Sequence, residues 1–339
     1  MPFPPAPLSP PPGTDPGSPA PPELSVVIPV FNGAATLPEL LARLAPVLAA
    51  AVGSSEVILV NDGSRDGSWE TIASLAAGRA AVRGIDLMRN YGQHNALLCG
   101  IRAASGALIL TLDDDLQHPP EEIPRLLAAL APGIDVVYGT PLAERHGLWR
   151  DAASRVTKFV LQGAMGAAVA RQVSAFRLFR TELREAFAQY GNPYVSVDVL
   201  LTWATTRFTA VPVRHEGRRA GRSNYTLRLL VRHALNMITG FSVGPLKLAS
   251  LVGFASTLLG LAVLAYVVGR YLIQGTSVPG FPFLASLIAI FSGAQLFTLG
   301  IIGEYLARMH FSLMSRPIYT VRRTIGAAAG GDGARGGAG

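Results

Sequence analysis

Residues 112–124 read LDDDLQHPPEEIP and follow the apolar stretch ALILTL without a break. Along an extended chain alternate side chains share a side, so Asp113 and Asp115 present their carboxylates together. Two hard oxygen ligands of this kind suit Mg²⁺ or Mn²⁺, which keep some water and take substrate phosphate oxygens. Gln117 offers a further neutral oxygen. Asp114 is expected to point the other way or to meet a substrate through its backbone. Three adjacent carboxylates also repel one another, and a solvated acidic loop is the plain alternative. Their place at the end of an apolar strand favours the metal.

Three further clusters carry chemistry. In VNDGSRDGS (60–68) a strand end delivers Asp62 into a glycine turn, where a carboxylate can accept from a base edge or a ribose hydroxyl; Asp-Gly-Ser is equally ordinary turn chemistry. Asp66 is expected to cap the next helix. In RNYGQHNA (89–96), Asn90-Tyr91-Gly92 forms a turn before a helix whose free N–H groups can meet a sugar or phosphate oxygen. His94 and His118 receive no catalytic role. The fourth cluster is basic: Arg177 in SAFRLFR, then Arg218, Arg219, Arg222 and Ser223 in GRRAGRSNY. Guanidinium groups beside glycines and a serine suit a phosphate at a bilayer surface. A merely electrostatic patch against anionic lipid is the alternative.

These groups need elements to hold them. LSVVIPV (24–30), EVILVN (56–61), a strand near 82–88 and ALILTL (107–112) are short, apolar and β-branched. Between them run helical patterns: Leu37, Leu40, Leu41, Leu44 and Leu48, then stretches near 66–77 and 93–104. This alternation predicts an α/β domain with a mainly parallel sheet. Ligands of such sheets bind beyond the carboxyl ends of the strands, where the first three clusters fall. Residues 142–215 read as more mixed: helices near 151–166, 181–190 and 195–205, and strands at 174–180 and 208–215.

Two uncharged runs, 248–269 and 284–303, are long enough to cross a bilayer. Residues 225–241 have one apolar face flanked by Arg228, Arg232 and His233, which suits a helix in the membrane interface; a core-packing helix is the alternative. The expected organisation is a Pro-rich tail (1–22), a catalytic domain (23–224), a juxtamembrane amphipathic helix (225–245), a two-helix transmembrane unit (246–306), a basic cytoplasmic segment (307–325) and a Gly/Ala tail (326–339). By the positive-inside rule both ends of the helix pair face the cytoplasm.

The 339-residue chain has a formal charge of +7, but only 15% of its residues are charged. The charge is segmented. Residues 1–141 are net −7 and residues 142–232 are net +9, which does not describe a uniform nucleic-acid surface. One cysteine, Cys99, excludes an intramolecular disulfide framework and is expected in the core. No Walker A lysine motif, zinc-ligand spacing or Ser-His-Asp signal is present.

The stretches VVIPVFN, VNDGSRDGS, NYGQHNALLCG, TLDDDLQHPPEEIPRLL and FRLF, the pattern from Arg218 to Tyr225, and GAQLFTLGIIGEYLAR followed by RPIY resemble the polyprenyl-phosphate glycosyltransferases. The resemblance covers about residues 24–323. It implies an inverting GT-A domain using a nucleotide-sugar donor, a divalent cation and a polyprenyl phosphate acceptor at the inner membrane, with a homo-oligomer as a further expectation. Pro29, Phe31, Asp62 and Asn90 would hold the nucleotide, and Asp113, Asp115 and Gln117 the metal and diphosphate, with Asp114 nearby. Arg177, Arg218 and Ser223 would meet phosphates, with Arg219 and Arg222 beside them. Asp198 is a candidate to orient the acceptor. Gly33, Thr140-Pro141 and Asn224 depart from the family pattern. A processive polysaccharide synthase would need a Gln-x-x-Arg-Trp motif, which is absent, and a non-catalytic scaffold would not need the acidic set.

Overall fold

The computed structural model describes residues 21–141, 172–192, 195–217, 244–274, 280–314 and 317–326. The helices expected near 151–166 and 225–241 lie outside them, as do Arg218, Arg219, Arg222 and Ser223. In chain order the elements are β1 (Leu24–Val30), α1 (Leu37–Ala51), β2 (Ser55–Asn61), α2 (Ser68–Ala77), β3 (Val82–Leu87), α3 (Gln93–Ala103), β4 (Leu108–Thr111), α4 (Ile123–Ala129), β5 (Val136–Pro141), β6 (Arg177–Arg180), α5 (Val197–Ala204), β7 (Phe208–Val213), α6 (Gly244–Gln274), α7 (Phe281–Leu313) and β8 (Val321–Ile325).

The eight strands among the described residues form one sheet in the order β7-β5-β6-β4-β1-β2-β3-β8. Its centre, β4-β1-β2-β3, is parallel. The β6 strand runs antiparallel to both β4 and β5, so the sheet is mixed. Every residue of β1 is buried, because alternate side chains enter opposite layers. Leu24, Val26, Ile28 and Val30 pack with Leu37, Leu40, Leu41, Leu44 and Leu48 of α1. Val27 packs with α3 on the other face. There Gly100 permits close approach, since a Cβ would stand 2.3 Å from the Val27 side chain. The segment expected as a helix near 181–190 is instead 3-10 over Thr181–Phe187.

The C-terminal segment departs from expectation. Val321–Ile325, placed by sequence in a basic cytoplasmic segment, is a sheet strand antiparallel to β3. The chain therefore leaves the sheet after β7, passes through α6 and α7, and returns to the same sheet.

The two long helices extend beyond the uncharged runs that announced them. Their candidate spans, Gly244–Ile273 and Ile290–His310, have mean hydropathies of 2.2 and 1.3, and neither is buried inside the protein. Leu251, Leu264 and Leu296 are all more than half exposed. A water-soluble core helix would hide such side chains, so a bilayer is the solvent that suits these two. They meet where Gly260 faces Phe291, and a Cβ on Gly260 would lie 3.0 Å from that ring.

Candidate nucleotide and metal site

The carboxyl ends of β1, β2 and β4 fall along one edge of the sheet and open onto a cavity of about 190 Å³. Pro29, Val30 and Phe31 line it from β1, and Asp62 from the end of β2. Asn90 and Gln93 line it from the start of α3, and Asp113, Asp114 and Asp115 from the end of β4. Seven of the sequence-selected residues thus meet: Pro29, Phe31, Asp62, Asn90, Asp113, Asp114 and Asp115. Among the described residues that line it none is cationic.

The aspartates differ in their surroundings. Gln93 Nε2 donates to Asp113 Oδ1 at 2.7 Å. The Gln117 N–H donates to Asp115 Oδ1 at 3.1 Å. Asp114 Oδ2 accepts from the Phe31 N–H at 3.4 Å, and its carboxyl is pushed up to about 7 by burial and by the charge of Asp113, with Asp115 adding to the effect. The same oxygen lies 2.2 Å from where a Cβ on residue 33 would stand. Gly33 thus leaves room for Asp114 to fold against the β1 loop.

Asp62 is 2% exposed. Its two oxygens accept from the Tyr91 N–H at 2.7 Å and the Gly92 N–H at 2.9 Å. Burial raises its carboxyl, and those two N–H groups and Arg89 oppose the rise. Asp62 therefore both lines the cavity and shapes the turn that carries Asn90. The two turns touch, since a Cβ on Gly63, whose φ is +63°, would lie 2.5 Å from the Arg89–Asn90 backbone. Phe31, 45% exposed, leaves its ring available at the edge of the cavity.

Several expectations are corrected. Asp66 is not the N-cap of α2, a place taken by Gly67. Its Oδ2 accepts from the Ala34 N–H at 3.1 Å and its Oδ1 from the Ser68 N–H at 3.1 Å, which fastens the β1 loop to α2. Arg177 and Asp198 do not line the cavity. They are 2% and 5% exposed and form an ion pair with each other. Arg177 sits in register with Thr111 and with Tyr138, which places it between two strands in the middle of the sheet. Asp198 also accepts from the Tyr138 hydroxyl at 3.1 Å. A charge at such depth needs a partner, and each meets that need for the other.

Gln117 is not among the lining residues either; the contacts seen run through its backbone. Its carbonyl accepts from the Glu216 N–H at 2.8 Å. Around that contact Arg43 bonds both Glu121 and Glu216, and Arg214 pairs with Glu122. Residues 214–216, just before the basic segment, are thereby tied to the acidic motif. His94 Nδ1 accepts from the Val197 N–H at 3.4 Å. His118 stacks on Phe176, with His215 at its edge. Sequence reasoning missed Gln93, although it stands beside His94 at the first position of α3; the sequence carried no sign that its amide reaches Asp113.

Residues 25–187 match the model of Glycosyl transferase family 2. The undecaprenyl-phosphate 4-deoxy-4-formamido-L-arabinose transferases of Yersinia pestis (strain Pestoides F) and Yersinia pseudotuberculosis serotype O:3 (strain YPIII) are each 37% identical to the chain. The match covers 310 residues, 90% of this chain and 94% of each relative. Among solved structures, glucosyl-3-phosphoglycerate synthase from Mycobacterium tuberculosis with Mn²⁺, uridine diphosphate and glucosyl-3-phosphoglycerate is similar, with a TM-score of 0.48 and 23% identity. That similarity covers 64% of this chain and 78% of the other. The same enzyme with Mn²⁺ and UDP-glucose gives a TM-score of 0.49 and 19% identity over 64% and 77%. With a likeness to the Yersinia transferases that runs through both the sheet and the apolar helix pair, the chain belongs to the polyprenyl-phosphate glycosyltransferases of glycosyl transferase family 2.

Proposed function

We propose that the protein is an inverting glycosyltransferase. It moves a sugar from a nucleotide-diphosphate sugar, UDP-linked, to undecaprenyl phosphate at the cytoplasmic face of the membrane, for cell-envelope glycan or lipopolysaccharide modification. The observation that carries this reading is the meeting of Asp62, Asp113, Asp114 and Asp115 around one cavity at the carboxyl edge of the sheet. The 37% identity to undecaprenyl-phosphate transferases over 90% of the chain supports the acceptor.

The donor set fits a divalent cation. Asp113 and Asp115 are hard oxygen ligands, and the Asp114 carboxyl beside them is pushed up first by burial and then by the charge of Asp113. Mg²⁺ and Mn²⁺ are commonly held by few carboxylates and completed by a substrate diphosphate. Asp113 and Asp115 would hold the ion, which when bound neutralises charge on the diphosphate. Phe31 offers an aromatic face to the nucleotide. Pro29, Asp62 and Asn90 shape the cavity floor, and Asp62 retains acceptor capacity beyond its two backbone bonds.

Arg218, Arg219, Arg222 and Ser223 are assigned to the lipid phosphate. In support, residues 214–216, which precede them in the chain, are tied to Gln117, Arg43 and Glu122. A phosphate monoester with a second pKa of about 6 is mostly dianionic near neutral pH and needs little help from a base. Its attack opposite the departing diphosphate inverts the sugar carbon. Arg177 and Asp198 act in this scheme by holding β6 and α5 rather than by touching substrate.

The test incubates membranes carrying the protein with undecaprenyl phosphate, Mg²⁺ and a panel of UDP-, GDP- and dTDP-sugars. A chloroform-extractable sugar is expected, lost on chelation of the metal. Failure of every donor to give a lipid-linked sugar overturns the proposal.

A further inference from the structure

Arg323 lies 136 residues beyond the segment that matches the family model and on the far side of the apolar helix pair. It is nonetheless joined to the donor cavity by a short series of bonds. Arg323 Nε donates to Asp86 Oδ2 at 3.0 Å, and its guanidinium lies 4.6 Å from the centre of the Trp69 ring. Asp86 is 4% exposed. Its other oxygen accepts from Asn61 Nδ2 at 2.7 Å. Asn61 is 3% exposed, and its Oδ1 accepts from the Ser64 N–H at 3.3 Å. Ser64 Oγ in turn accepts from the Asn32 N–H at 2.9 Å, in the loop that presents Phe31.

We infer that Arg323 is a positioning residue for the donor cavity: through Asp86 and Asn61 it fixes the turn carrying Asp62, so the strand that returns from the membrane completes the nucleotide site. The inference rests on the proposed nucleotide-sugar role of that cavity. A carboxylate as buried as Asp86 is costly to keep charged without a cation. Arg323 makes the direct contact, whereas Arg322 Nε stands 3.9 Å away and donates through its other nitrogen to the Met88 carbonyl. Without Arg323, Asp86 loses its direct cationic partner and is free to turn toward water. That frees the Asn61 amide to rotate, and the Asp62–Ser64 turn loses its brace.

The experiment uses the full-length protein in nanodiscs with UDP, GDP and dTDP as probes, each with Mn²⁺, by titration calorimetry. Arg323→Ala is expected to weaken the nucleotide that binds wild type about five- to tenfold, the range of an ordinary coupling between sites. Arg323→Lys, which keeps a cation at Asp86, is expected to recover most of the loss, and Arg322→Ala to lose less than Arg323→Ala. Amide hydrogen exchange at residues 61–64, measured without ligand, is expected to quicken in Arg323→Ala and not in Arg323→Lys. Equal effects of Arg322→Ala and Arg323→Ala would reduce the matter to general strand docking and overturn the inference. Unchanged exchange at 61–64 overturns it as well, whether or not any nucleotide binds. A wild type that binds none of the three counts instead against the proposed function.

Discussion

Asp113 and Asp115 are separated from Asp114 by one peptide unit each, yet they meet different partners. The outer two face Gln93 and the Gln117 N–H, while Asp114 folds against the Phe31 N–H beside Gly33. Replacing Asp115 with Ala is expected to lower transfer about 10²- to 10³-fold, the usual scale for losing one electrostatic stabiliser of a developing charge. Initial rates of lipid-linked sugar formation check it, with thermal unfolding to show that the fold survives. Asp198 behaves oppositely. Its removal leaves Arg177 buried without its partner, and Asp198→Ala is expected to destabilise the domain by about 3–5 kcal/mol, measurable as a fall in Tm. The acidic motif was legible in the sequence because three adjacent carboxylates at a strand end have few structural uses. The Arg177–Asp198 pair was not. An arginine in an apolar strand looks the same whether it meets a phosphate or a carboxylate, and its partner lies on a different element, 21 residues away.

The parallel core of the sheet, at the scale of elements, could be read directly from its apolar runs and the helical leucine spacing of α1. The last strand could not. Val321–Ile325 is an edge strand, mostly exposed, with two arginines at its centre, so no apolar alternation marks it. Its pairing with β3 joins positions more than 230 residues apart, and no local pattern encodes such a contact. A second arrangement visible only in the structure is the clamp on Glu216, just before the basic segment. Arg43 of α1 reaches Glu121 at 2.8 Å and Glu216 at 3.2 Å, beside the Glu216 N–H bond to the Gln117 carbonyl. These side chains are partly exposed, so each ion pair is modest, about 0.2–1 kcal/mol. Arg43→Ala is therefore expected to raise the KM for polyprenyl phosphate by about two- to fivefold, since 1 kcal/mol corresponds to roughly fivefold at 25 °C. The KM for the donor should stay nearly constant. Two-substrate kinetics separate these. An equal rise in both would place the clamp at the donor cavity instead of the acceptor loop.

The sheet receives strands from both sides of the helix pair, β7 before it and β8 after it, and this constrains the whole molecule. A sheet cannot be shared across a bilayer, so the chain must cross an even number of times between them. The α6 and α7 helices, about 46 and 50 Å long at 1.5 Å per residue, are each long enough to cross, and two crossings would satisfy that. Two such crossings would put the sheet domain and β8 on the same side of the bilayer. The basic residues after α7 favour the cytoplasm for that side. Single-cysteine labelling tests this with little background, because the native Cys99 is 3% exposed and burial pushes its thiol up to about 12. A thiol held that far from its thiolate reacts slowly with maleimide. In spheroplasts, Ser277→Cys is expected to be labelled by a membrane-impermeant maleimide from outside. Ala328→Cys is expected to be labelled only after the membrane is opened. If both positions label from the same side, α6 and α7 do not form a spanning hairpin. If the pattern is reversed, the donor cavity faces away from the cytoplasmic nucleotide-sugar supply, and the proposed reaction loses its substrate.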